Sequence, residues 1–141
     1  MREILFRGKR TKNGEWVYGW LGHMQCYDPH TKKISRIYFT EIDDDFYSRL
    51  NTIVDYQTVG QYTGLTDKNG KKIFEGDIVN VNTNKDTLCH RYEGRNLVIR
   101  FDEYHRFVAS GRLEYPLCNH YEWEVIGNIH DNPELLKGGG E

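Results

Sequence analysis

No stretch of this chain stays apolar for the roughly 18 residues that a membrane-spanning helix requires, so a span of that kind is not expected. The opening MREILFRGKR has charges where an export signal carries its apolar core, so a cytoplasmic location is expected. Cysteine is scarce and odd in number: Cys26, Cys89 and Cys118 make a poor disulfide framework, and reduced thiols are the expectation. Charge of one sign is also lacking. The formal net charge of −2 gives no global basic field to draw the chain to a polyanion. There is no internal repeat at a fixed period and no convincing linker.

What the chain does have is aromatic residues. Ten tyrosines, three tryptophans and six phenylalanines make up 13% of the residues and offset a modest apolar fraction of 38%. Such rings bury large areas and pack well on a pleated surface. The length of 141 residues suits one domain able to bury a core without metal or disulfide staples. The boundaries expected are 1–136 for a single β-rich domain, with 137–141 a flexible, glycine-rich tail.

Residues 3–10 and 15–23 read as a β-hairpin around Asn13-Gly14, a pair suited to the positive φ angles of a tight turn. Ile4 and Phe6 alternate on the first strand, and Trp16, Tyr18 and Trp20 on the second. The aromatic line is expected to bury one face, leaving Lys9, Arg10, Lys12 and Glu15 in water near the turn. After a loop at Asp28-Pro29, further strands are expected at 33–40, 52–56 and 58–63, with one or two helical turns at 43–50 capped by Asp43. A second Asn-Gly, Asn69-Gly70, leads into a strand at 71–74, and a turn at Glu75-Gly76-Asp77 into another at 78–82. Residues 83–95 read as a long exposed loop, followed by strands at 96–101, 107–113 and 123–129. Frequent short strands between turns point to a barrel or a sandwich.

Three blocks carry a resemblance. The stretch Val59 to Val81, VGQYTGLTDKNGKKIFEGDIVNV, the opening REILFRGKRTKNGEWVYGWL and the closing EVIGNIHDNPELL resemble, in the same order, the YopX-like family of phage and prophage proteins. Together they cover a little under half of the chain. The resemblance implies a small β-rich domain, barrel-like and similar to SH3-type folds around the Glu-Gly-Asp-Ile-Val block, in a phage or prophage setting. Homo-oligomerisation is expected of such a domain, and no reaction or catalytic residue is implied. Read physically, the same block is about topology. Gly60 and Gly64 relieve crowding where strand meets turn, Gly76 permits a sharp bend, and Asp77 is placed to bond turn amides.

Candidate chemistry is thin. Cys89-His90 and Cys118-Asn119-His120 supply zinc-type ligands, but zinc pairs usually sit about two to four residues apart, and neighbours in sequence hardly share one ion. The acidic run Glu41, Asp43, Asp44 and Asp45 lacks the spaced ligands and central glycine of a calcium loop; a solvated helix start accounts for it better. No GxSxG elbow is present, and a Cys118 thiol beside His120 or His105 is not something spacing establishes. Lys137 to Gly140 is a terminal tail, and Gly64 to Gly70 has no Lys-Ser/Thr after it, so no phosphate-cradling loop is expected.

Basic residues among rings are the remaining signal. Arg2, Arg7, Lys9, Arg10 and Lys12 cluster at the first hairpin opposite Trp16, Tyr18 and Trp20. Arg91, Arg95, Arg100, Arg106 and Arg112 accompany Tyr92, Tyr104 and His105 later in the chain. Such interleaving can track phosphates and stack on bases, though rings at period two are usually core. Arg7, Lys9, Arg10, Lys12, Arg91 and Arg95 are the residues chosen for nucleic-acid or partner contact. The expectation is a non-enzymatic, self-associating phage or prophage accessory protein that engages a protein partner, with no cofactor. The rival is a nucleic-acid-binding β-barrel acting in phage replication or regulation.

Overall fold

The computed structural model describes residues 3–41, 53–82, 96–104, 106–111, 114–117 and 122–136. These form strands β1 (Phe6–Lys9), β2 (Trp16–Asp28), β3 (Lys33–Glu41), β4 (Ile53–Val54), β5 (Gly60–Thr66), β6 (Lys72–Phe74), β7 (Asp77–Asn82), β8 (Asn96–Phe101), β9 (Phe107–Ser110), β10 (Glu114–Pro116) and β11 (Glu122–Asn128). Among the described residues the remaining regular structure is two 3₁₀ turns, Tyr56–Thr58 and Pro133–Leu136. The mostly-β expectation holds. The strands make two antiparallel sheets, ordered β4-β3-β2-β1-β5-β6 and β10-β9-β8-β7-β11, and among the described residues no closed barrel forms. The chain divides into two compact units, residues 1–61 and 62–141, and β5 begins in the first and continues into the second.

In the first unit, β1 and β2 pair from Phe6↔Gly19 to Lys9↔Trp16. Their turn is not the two-residue type that Asn13-Gly14 suggests. Arg10 donates its N–H to the Glu15 carbonyl at 2.9 Å, and Gly14 donates to the Arg10 carbonyl at 2.9 Å, so four residues make the loop. Of the pair, Gly14 alone has a positive φ, +73°. Asn13 instead accepts the Glu15 N–H on its side-chain oxygen at 3.0 Å. An Asx contact thus replaces the second left-handed residue.

The face expected to be inward is the outward one. Val17 and Gly19 are buried, whereas Tyr18 and Trp20 are 46% and 68% exposed. Val54 explains the choice. A Cβ placed on Gly8, opposite Val17, would lie 2.9 Å from the Val54 Cβ, so no side chain fits on this side at that position.

β2 runs five residues past the expected end at 23, and pairs with β3 over nine positions from Trp20↔Glu41 to Asp28↔Lys33. The turn between them contains Lys32 at φ +56°. β4 is shorter than the strand expected at 52–56. It pairs with β3 through Tyr38↔Val54 and Phe39↔Ile53, and a bridge joins Val54 to Arg10. Asp55 then leaves strand geometry because its carboxylate accepts the Gln57 N–H at 3.0 Å and caps the 3₁₀ turn. The strand expected at 58–63 consequently starts at Gly60. The helical turns expected at 43–50 and the loop at 83–95 lie outside the described residues.

The second unit holds the larger core. Ile73, Val79, Val81, Leu97, Ile99, Ala109 and Trp123 form one buried cluster. Each large aliphatic there contributes about 1.5–3 kcal/mol by leaving water. β7 lies between β8 and β11, and Asp77, Ile78 and Val79 are all buried rather than alternating. Pairing of β7 with β11 shifts register between Val125 and Gly127. A Cβ on Gly127 would sit 2.6 Å from the Asn132 Oδ1, so the bulge and the following turn require glycine there. The strand expected at 107–113 is described as far as Ser110, and β10 was not foreseen.

A candidate binding surface on the first unit

The surface is built from alternation. On β1, Arg7 and Lys9 stand across from Tyr18 and Trp16 of β2. Their charges close on the indole: the Arg7 guanidinium carbon lies 4.6 Å and the Lys9 Nζ 5.6 Å from the Trp16 ring centroid. Cations at these distances are attracted to the ring face and fix its orientation. Tyr18 and Trp20 continue the row along β2 on the same side. The backbone beneath is tied down. Lys9 donates its N–H to Thr58 Oγ1 at 2.8 Å, and Thr58 Oγ1 donates to the Asp55 carbonyl at 2.6 Å.

The six residues chosen for contact are distributed unevenly. Arg7 is buried beneath this arrangement at 5% exposure, Lys9 and Arg10 are half-buried, and Lys12 is exposed. Arg10 faces Glu15 across the turn at 3.9 Å, a long ion pair. Arg91 and Arg95 lie outside the described residues, as do Cys89, His90, Cys118, His120 and His105. Sequence reasoning had Tyr18 and Trp20 facing inward, and it overlooked Tyr27, 62% exposed near the end of β2. The signal for the first two was the small residue at Gly8 and Gly19 on the opposite face.

The carboxylates that look catalytic by burial are structural. Asp67 accepts N–H groups from Asn69 at 2.9 Å and Lys71 at 2.8 Å on one oxygen, and from Val125 at 3.0 Å on the other. Burial works against its ionisation, but the N–H groups of Val125, Lys71 and Asn69 and the Lys71 charge outweigh it and hold the carboxyl below its ordinary value. Asp77, 1% exposed, accepts the Phe74 N–H at 2.8 Å across the turn that Gly76 makes at φ +91°. Asp102 is likewise held low: burial opposes ionisation, while the Arg106 N–H and guanidinium and the Tyr104 N–H favour it. Carboxylates that are already bonded and held ionised are poor general acids at neutral pH. Among the described residues no three His, Cys, Asp or Glu side chains come together to hold a metal ion. No helix there is long and apolar enough to cross a membrane.

The crystal structure of protein EF1440 from Enterococcus faecalis is similar to this chain, with 28% identity and a TM-score of 0.54, covering 97% of this chain and 100% of that one. No curated protein matches it. The family model described as YopX protein matches residues 5–137, nearly the whole length, and the chain belongs to the YopX family.

Proposed function

We propose that this protein is a non-enzymatic, self-associating binding module of a phage or prophage, working in the host cytoplasm. The observation that carries the reading is the edge of β2. From Trp16 to Tyr27 the strand has no Asp, Glu, Lys or Arg. β1 pairs with it only from Trp16 to Gly19, and among the described residues no strand pairs with that edge from Trp20 to Asp28. A long uncharged edge is what proteins normally blunt with charge, proline or a bulge. The other sheet does so: β10 is three residues long and ends in Pro116, and β11 carries Glu122, Glu124 and a bulge.

A second copy adding its own β2 antiparallel to this edge would satisfy both strands at once, the self-complementary contact of a two-fold dimer. An SH3-like arrangement around the Glu-Gly-Asp-Ile-Val block, residues 75–79, belongs to the same reading. Light scattering behind a sizing column tests it at micromolar protein. Multiples of 16.7 kDa are expected, reduced by Gln25→Lys, which puts a charge on the open edge. A monomer mass unchanged on concentration overturns self-association.

A further inference from the structure

We propose that the outward face of β1 and β2 is a stacking platform for single-stranded nucleic acid. Trp16, Tyr18 and Trp20 occupy alternate positions of one strand with no register break, so their side chains project from one face about 6.6–6.8 Å apart. Bases in a duplex follow one another at roughly 3.4 Å and hide their faces from such a row. An extended single strand, with bases splayed, presents them at a spacing the row can meet. Tyr18 and Trp20 are the exposed members, and Trp16 is the anchored one, held by Arg7 and Lys9.

The charge at the turn end of this row has the complementary sign. Arg7, Lys9, Arg10 and Lys12 gather there against Glu15, although the whole chain is at −2; at the other end Glu41 stands across from Trp20. Lys9, Arg10 and Lys12 lie at the turn end of the row, where phosphates of a strand lying along β2 would pass. Rings for the bases and cations for the backbone are the two parts such binding needs, and neither reads sequence, so binding tolerant of base identity follows. This site is the face of β2, whereas self-association was assigned to its edge.

Fluorescence anisotropy of a labelled oligothymidine titrated with the full chain tests the proposal, beside a duplex of equal length, at about 50 and 200 mM salt. Binding to the single strand is expected at low salt, weaker at high salt and tighter than to duplex. Trp20→Ala should weaken it about tenfold, and Tyr18→Ala, a second variant at an exposed position, should act in the same direction. Replacing Lys9 and Lys12 together by alanine should lower the salt slope by about one to two. Absence of single-strand binding at low salt overturns the proposal, as does equal affinity for duplex or wild-type affinity in both ring variants. Light scattering on Trp20→Ala and anisotropy on Gln25→Lys separate the readings: loss of stacking with the oligomer intact leaves the edge reading standing, and the reverse leaves the platform.

Discussion

The two units of this chain spend their large side chains in opposite ways. Among the described residues, Val17 and Val54 are the buried apolar side chains of residues 1–61, against eleven in residues 62–141. Exposure runs the other way. Among the described residues Ile4, Tyr18, Trp20, Tyr27 and Tyr56 are exposed in the first unit, and Phe101 and Tyr104 in the second. One part of the molecule behaves as scaffold and the other as surface. Burial follows from what can enter a core, and the approach of Val54 to Gly8 leaves no room for a side chain at that position.

The comparison breaks most visibly in the second core. Ile99→Ala removes a fully buried side chain from the centre of β8 and should cost about 3–4 kcal/mol, read as a large drop in denaturation midpoint. An effect no greater than that of Val17→Ala would show that the two units are not so different.

Asp67→Ala comes next. It leaves the N–H groups of Asn69, Lys71 and Val125 without their acceptor, at a cost of about 2–3 kcal/mol. Because the folded-state value is depressed, the stabilisation is fully present above the unfolded carboxyl value and is lost as pH falls through the folded one. The wild type should therefore lose stability in acid below about pH 4 more steeply than the variant, which urea melts across that range would show.

Gly8→Val tests the packing argument for the first unit. The added methyls meet Val54 and should cost about 1–2 kcal/mol, and Val54→Ala in the same chain should recover part of it. Simple additivity of the two would remove Val54 as the reason the rings face outward.

Trp20→Ala sharpens the contrast from the other side. Loss of a residue 68% exposed should leave the stability within about 0.5 kcal/mol of wild type, read from thermal melts, while altering binding. A substantial loss of stability would return that ring to the core.

Much of the scaffold was legible because it obeys local rules. Asn96–Phe101 and the strand at 78–82 read correctly, Asp77 alone moving from the turn into β7, with turns at Asn69-Gly70 and Gly76 between strong β formers. The surface was less legible for a physical reason. Period-two alternation identifies two faces of a strand but not which meets the core, and the heavier face of β2 turned out to be outward. The reach of β2 to Asp28 was missed because GHMQC breaks the alternation of large apolar residues that marks the strand as far as Trp20. β4 was overestimated, since Asp55 caps a turn where the residues TIVDY suggest continued strand. In the candidate site, Lys9 and Lys12 came from charge clustering alone, while the role of Arg7 under Trp16 needed the cross-strand register.

The order of the second sheet has a consequence for how the protein is made. β7, with Ile78, Val79 and Val81, takes its partner on one side from β11, some forty residues later in the chain. Until Glu122–Asn128 emerges from the ribosome, that side of β7 stays open to other nascent chains. Pairing so distant in sequence is slow to find, and an open apolar edge is a template for aggregation. Chains stalled or cleaved before residue 122 are expected to be insoluble, even though they retain nearly all of the core.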